Sequence, residues 1–556
     1  MSAAEQEGIP RRSVFKTGAV VGAATAVGAI TGAAPAEAHG GGRHPEGSLI
    51  LHRGKIHTMD GRGAVVRVLA IDDGRVSYAG NSLGQARKSV PDGTRTIDLH
   101  GRTAIPGIID NYNHIVLMGN RPGRHTPLEN AYSVADVQRT YRERARGVSA
   151  GEFITTIGGF HFNQFAEVRL PTLAELDAAL PAHPAYISQS FSGPSTTNSL
   201  GKAFFEAADP AVVVGADGSI AAGQETGKAT LALRRTLTHA QRKRGVLDAM
   251  AYAASVGVTT HLDEGAFQAT DTPSDGAAHE DNYTMHLPFL ETYAEGKGLV
   301  RLRINFLHME TDPALPGLTE RLRNAFPFFG DDWVRTGGIG EFIAQGLGPT
   351  WLEAARRVAR AGWRAEVHSL SATDFRTEIE GFETVNAEFP ITDLRWVVAH
   401  VPSITADYVD RLKALGGGLS LTGWRYLAGT GTAAGPPFRM ILDNGIHSGM
   451  SSDGMQIAPM NPFIHAYYAV TGKNARGDVI NVGQQITRRE VLELYTRDNG
   501  WFLGEPDENQ LGTLEVGRLG DVVVLDRDYF TVPEDQLRQV RSVLTVVGGN
   551  VVHGRG

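Results

Sequence analysis

Apolar and polar positions alternate with a period of two near both ends of this 556-residue chain, and follow a helical period through most of its middle. Residues 49–51 and 65–72 read as strands, Asp73-Gly74 as a hairpin turn, and residues 75–80 as the answering strand. The C-terminus repeats this texture in residues 520–526, 542–547 and 549–552. Two β-rich ends around a long middle predict one small sheet domain made from both termini. In the middle, amphipathic helical stretches lead into short apolar strands: residues 242–255 into 257–261, and 350–361 into 364–368. Residues 404–415 form another helix of this kind. Such alternation predicts an α/β fold with a (β/α) barrel. From about residue 131 to 227 the pattern mixes strands, helices and proline-rich turns, and reads as an insertion covering the barrel mouth.

The first forty residues stand outside this pattern. Arg11-Arg12-Ser13-Val14-Phe15-Lys16 is a twin-arginine motif, followed by a Gly/Ala-rich run over residues 17–34 and by Ala36-Glu37-Ala38 as a cleavage site. The expectation is export of a folded chain, secreted or held at the cell envelope, starting near His39. So many Gly and Ala make the run a poor spanning helix, and no other stretch is long and apolar enough to cross a membrane. The expected divisions are a leader at 1–38, sheet domain at 39–103 and 511–556, and barrel at 104–510 with its insertion.

Composition narrows the chemistry. A net charge of -8 and the absence of a basic block give no footprint for nucleic acid. With no cysteine, disulfides, thiolate ligands and a cysteine nucleophile are excluded, so any metal is held by His, carboxylate, backbone or water.

Four polar residues close predicted strands: His114 after 103–113, His368 after 364–367, His400 after 394–399, and Asp453 after 446–452. In a (β/α) barrel the C-terminal strand ends meet at one mouth, so these residues are expected to share a site. Pro106-Gly107-Ile108-Ile109-Asp110-Asn111-Tyr112-Asn113-His114 resembles the first-strand motif of the amidohydrolase superfamily, Pro-Gly-(apolar)-(apolar)-Asp-x-His-x-His. The resemblance covers nearly the whole chain after the leader and is closest to the YtcJ-like branch, which includes N-substituted formamide deformylases. Its further marks are residues 171–178 followed by Pro184, Thr197-Asn198-Ser199-Leu200, Asn461-Pro462-Phe463, the closing signature over 512–526, and Asp528–Pro533. It implies a (β/α)8 barrel beside a composite β-sandwich built from both ends. It also implies metal ligation by first-strand histidines, a carboxylated lysine, two later histidines and an aspartate.

This chain departs from that motif twice. Tyr112 stands where the first histidine belongs, and Gly340 falls at the lysine position, with Glu341 next to it. Two readings follow. In one, His114, His368, His400 and Asp453, with Glu341 in place of the carbamate, hold one divalent ion (zinc or manganese). In the other the site works without metal as general acid and base, with Tyr112 as proton donor. The first reading gives a hydrolase of a non-peptide carbon–nitrogen bond in a small amide or formamide, with Asp453 as base and His400 or His368 steadying the oxyanion. The second gives a lyase or isomerase of a small, aromatic molecule. A third, non-catalytic binding of a small ligand, leaves Asp453 unexplained. The partner is a small-molecule substrate in each case, and homo-oligomerisation is left open. His161 and Asn163, and Trp424 and Arg425, are candidate substrate-side residues. His261, Asp263 and Glu264, with His308 and Glu310, sit at plausible strand ends but read first as hydrogen-bonded structural groups.

Overall fold

The computed structural model describes residues 47–190, 192–265, 282–455 and 457–554; the twin-arginine segment and its cleavage site lie outside the described residues. The fold is mixed α/β. Eight parallel strands carry the middle of the chain: β1 (Ile108–Asn113), β2 (Val258–Asp263), β3 (Arg301–Phe306), β4 (Val334–Ile339), β5 (Glu366–Ser369), β6 (Val397–His400), β7 (Gly418–Thr422) and β8 (His447–Ser451). Hydrogen bonds order them into two parallel sheets, β1-β2-β3-β4 and β5-β6-β7-β8. A bridge between Ile339 and Ala365 links β4 to the approach to β5. At the other seam the Asp453 N–H donates to the Tyr112 carbonyl and the His114 N–H to the Gly454 carbonyl, tying the exit of β8 to the exit of β1.

Helices between the strands form where the sequence supplies a start, a stop and one apolar face. Helix His239–Ser255 opens on a Thr238–Gln241 capping box and buries Val246, Ala249, Met250, Ala253 and Ala254. It stops before Gly257, whose φ of +88° only glycine adopts without strain. The helices predicted over 350–361 and 404–415 are Pro349–Arg360 and Ala406–Ala414.

Strands from both ends of the chain meet in one eight-stranded sheet: Leu49–His57, Val65–Asp72, Arg75–Gly80, Arg95–Asp98, Thr103–Pro106, Val522–Leu525, Ser542–Val547 and Asn550–Gly554. It has its own apolar cluster, including Leu49, Leu51, Leu69, Ile71, Val522 and Val524. One expectation is corrected here. The run from Thr103 to His114 is two strands rather than one: Thr103–Pro106 belongs to the end-derived sheet, and β1 begins after Gly107. The crossing is packed so closely that a Cβ on Gly107 would lie 2.1 Å from Thr259 Oγ1, so the turn between sheets requires glycine.

The irregular segment contains a five-stranded sheet of Arg124–His125, Ile154–Ile157, Ala185–Ser188, Ser195–Thr197 and Ser219–Ile220, so its first strand lies ahead of residue 131. Thr172 caps helix Leu173–Ala179 and Asn198 caps Ser199–Glu206, which accounts for two of the sequence marks quoted above. Among the described residues, no helix is long and apolar enough to cross a membrane.

Candidate active site

The parallel strands bring His114, Glu341, His368, His400 and Asp453 together at their C-terminal ends, with Tyr112 among them. Period-two alternation sets this up: Asp110, Tyr112 and His114 fall on one face of their segment, and Arg364, Glu366 and His368 on one face of theirs. His400 and Asp453 both adopt left-handed backbone, with φ of +67° and +53°. Non-glycine residues hold such angles at a cost of about 1–3 kcal/mol, and these strained positions coincide with the site.

The donor atoms converge. His368 Nδ1 lies 3.0 Å from Glu341 Oε2 and 3.1 Å from His400 Nε2. His114 Nε2 lies 3.3 Å from Asp453 Oδ1 and 3.8 Å from Glu341 Oε1. The Tyr112 phenol donates to Glu341 and stands 3.4 Å from His368 Nδ1. His400 is oriented by a 2.7 Å contact between its Nδ1 and Thr422 Oγ1, which turns Nε2 toward His368. Only His368 is appreciably open to solvent, with 24% of its side chain exposed; His114, Glu341 and Asp453 are sealed.

Electrostatics follow from burial. Desolvation would raise Glu341, but His114 and then His368 outweigh it and hold the carboxyl at about 2. Burial would lower His114, yet Glu341 and Asp453 pull it up to about 9. Asp453 is raised by desolvation against the pull of His114. His400 is driven down by burial and then by His368. Two buried carboxylates thus face imidazoles, and among the described residues neither has a Lys or Arg ion-pair partner. The pair demands a positive charge, supplied either by a proton on His114 or by a cation.

The residues fit a single divalent ion. Glu341, His368 and His400 present ligand atoms all within 4.8 Å of one another. Within this group the separations of 3.0 and 3.1 Å are close to the ~3.3 Å edge of a tetrahedron with zinc-like bond lengths, and His114 stands beside it, 3.8 Å from Glu341. The lysine position is closed to a side chain as the backbone stands: a Cβ on Gly340 would meet the Glu366 carbonyl oxygen at 2.8 Å, and Glu264 Oε2 at the same distance.

The layer beneath holds Glu264 in the hydrogen-bonded role expected of it, among Asn305, Glu366 and Arg364, which sequence reasoning does not single out. Glu264 accepts two 2.9 Å hydrogen bonds from Asn305, which also reaches Glu366, and Glu366 is paired with Arg364 at 2.5 Å. The signal was present in the buried, alternating Arg364-x-Glu366-x-His368. Asp110 was also missed: it accepts from the Ser452 hydroxyl and backbone N–H, clamping the residue before Asp453.

Other candidates have local partners. His161 accepts the Asn163 N–H at 3.0 Å and caps the turn Phe162–Gln164. Arg425 stacks on Trp424 at 4.1 Å, and the helix Arg425–Ala428 packs on that turn. No hydrogen bond or ion pair among the described residues joins these four to the His/Glu/Asp cluster. Asp263 accepts the Val116 and Gly265 N–H groups and lies 3.1 Å from His286, so it anchors the helix after His114. Glu310 caps helix Pro316–Asn324 by accepting from Gly317 and Leu318, with His308 at 3.6 Å. His261 is fully buried, and desolvation lowers it to about 3.

Glu378 is buried on the helix after β5, Ala372–Glu388, with Oε2 lacking a hydrogen-bond partner, and desolvation raises its carboxyl to about 8. The unfolded side chain ionises near 4.3. Below that pH both states are protonated; between the two values unfolding releases the proton, so wild-type stability falls as pH rises through this window. Glu378→Gln removes the penalty. Its Tm advantage over wild type is therefore expected to widen from pH 5 to pH 8, and a constant difference in melting scans would refute the assignment.

Comparison with known proteins gives the family and the fold. A family model described as "Amidohydrolase family" matches residues 95–553. The chain is 21% identical to the N-substituted formamide deformylase of Arthrobacter pascens over 548 residues, covering 90% of this chain and 97% of that one. It is also 21% identical to the putative amidohydrolase YtcJ of Bacillus subtilis over 558 residues, covering 91% and 99%. Among solved structures, an uncharacterised metal-dependent hydrolase from Pyrococcus horikoshii aligns with a TM-score of 0.60 at 18% identity, covering 88% of this chain and 99% of that one. An atrazine chlorohydrolase from Arthrobacter aurescens, solved with zinc, aligns with a TM-score of 0.54 at 17% identity, covering 91% and 95%.

Proposed function

Because the chain belongs to the amidohydrolase family, in its YtcJ-like branch, we propose that it is an exported hydrolase of a non-peptide carbon–nitrogen bond in a small amide or formamide. On this reading the two four-stranded parallel sheets close a (β/α)8 barrel, the end-derived sheet folds over as the composite β-sandwich, and the twin-arginine leader directs export. The observation that carries the reading is the convergence of three imidazoles and two carboxylates at one set of strand ends. His114, Glu341, His368, His400 and Asp453 would hold one ion, with Asp453 also placed to act as base. A divalent ion bound there would lower the pKa of water towards neutrality and polarise a carbonyl.

The chain's own groups account for the proton movements. Asp453, buried against His114, takes a proton from the attacking water as the water oxygen bonds to the carbonyl carbon, and returns it to the nitrogen as the carbon–nitrogen bond breaks. His368, the member open to solvent, steadies the developing oxyanion. Tyr112, donating to Glu341, fixes that carboxylate's orientation. The same contact favours a second reading, metal-independent acid–base catalysis by a lyase or isomerase, because it puts a phenolic proton inside the cluster.

The test is metal content per chain, on protein purified without metal or chelator and again after loading with zinc or manganese, alongside release of amine from N-substituted formamides and simple amides. Near-stoichiometric metal with turnover lost on chelation is the expected result. Metal-free protein that leaves the amide panel untouched would overturn it and turn screening to lyase and isomerase substrates.

A further inference from the structure

Where the insertion meets helix His239–Ser255 there is a cavity of about 280 Å³ that the proposed reaction does not use. Its wall includes Arg121, His125 and Arg144 from one side and Asp248 and Tyr252 from the helix. Both ring nitrogens of His125 are buried and have no hydrogen-bond partner among the described residues. A buried polar group left this way is costly and calls for an occupant. Arg144 uses one nitrogen on Asp248, at 2.8 Å, while its buried Nε has no hydrogen-bond partner. The charge of Asp248 is thereby offset by Arg144. Arg121 is 4% exposed. Burial, with Arg121 and Arg144 adding to it, lowers His125 to about 3, so its ring is neutral and offers one N–H donor.

We propose that this cavity binds a small oxyanion, phosphate or carboxylate, held by the Arg121 and Arg144 guanidiniums and the His125 ring. A cation is disfavoured by the two guanidiniums, and an apolar guest would leave the His125 N–H without an acceptor. Guanidinium forks match the paired oxygens of either oxyanion class, and Met118 and Ala249 on the wall leave room for a short carbon chain. The occupant would brace the mouth of the site. Met118 lies on the short helix Ile115–Gly119 that follows His114. The Tyr252 hydroxyl donates to Glu129, which accepts the Met460 N–H at 2.7 Å in the segment after Asp453.

The experiment uses the full chain, with inorganic phosphate and, separately, malonate as probes, read by melting scans and equilibrium dialysis. At hundredfold excess over Kd, a saturable Tm rise of ~2–3 °C is expected for a chain of this size. Arg144→Met and His125→Phe should weaken binding at least ~10-fold, the loss of about one charge-assisted bond, while Arg142→Met, exposed on the helix Val134–Ala145 that also carries Arg144, leaves it unchanged. Arg121→Met serves if Arg144→Met, which also loses Asp248, misfolds. A response to phosphate alone assigns a phosphate-type ligand, and one to malonate alone a carboxylate. No binding of either probe overturns the proposal. So does a rise that never saturates and is equal in all variants, since that is general exclusion from the protein surface.

Discussion

Asp453→Asn is expected to lower kcat for amide hydrolysis by about 10²–10⁴-fold, the range for a lost general base, with KM little changed. The substitution keeps the size of the side chain and its contact with His114, now 3.3 Å from Asp453 Oδ1. The backbone link that holds the residue in place, from its N–H to the Tyr112 carbonyl, does not involve the side chain. What disappears is the ability to take a proton. Metal content measured beside kcat separates the roles: retained metal with lost rate marks a base, and metal lost in proportion to rate marks a ligand. A variant with wild-type kcat and full metal would remove Asp453 from the mechanism and leave His368 as the group to test.

The same residue shows what could be read from the chain alone. Strand ends are legible because a buried strand is a short apolar run, and a His or Asp closing it is conspicuous. That pattern groups His114, His368, His400 and Asp453, and the structure brings them to one set of strand ends. Glu341 was chosen only because it adjoins Gly340, and its contacts with His368 and Tyr112 depend on how β4 ends, which no local pattern encodes. Elements with local causes, such as the hairpin of Val65–Asp72 and Arg75–Gly80 about Asp73-Gly74, lie where the sequence put them. The strand through Gly107 did not, because a passage from one sheet to another is set by packing against Thr259. Long-range polar pairs were the least visible. Glu264, Asn305 and Glu366 come from three strand regions, and only the fold shows that they fill the space beside Gly340.

One such pair has a large consequence for stability. Arg301, at the start of β3, is 1% exposed and forms a fork to Asp521, with Nε and Nη2 each 2.8 Å from a carboxylate oxygen. Asp521 lies in the closing signature, and its Oδ1 also accepts the Gly548 N–H at 2.9 Å, so the pair ties the end-derived sheet to the parallel strands. Replacing such a pair by apolar groups is often tolerated, whereas removing one partner leaves a buried charge and costs about 3–5 kcal/mol. Arg301→Met does the latter. With unfolding entropy near 2.1 cal/mol/K per residue over a chain of this length, a Tm drop of ~3–5 °C is expected. Arg301→Lys keeps the charge without the fork and should fall between. Arg301→Met combined with Asp521→Leu should recover part of the loss, since the Gly548 N–H is then left without its acceptor. A single Arg301→Met variant that melts with wild type would show that water or a backbone shift satisfies Asp521, and that the closing signature is held by its strand pairing with Thr103–Pro106 instead.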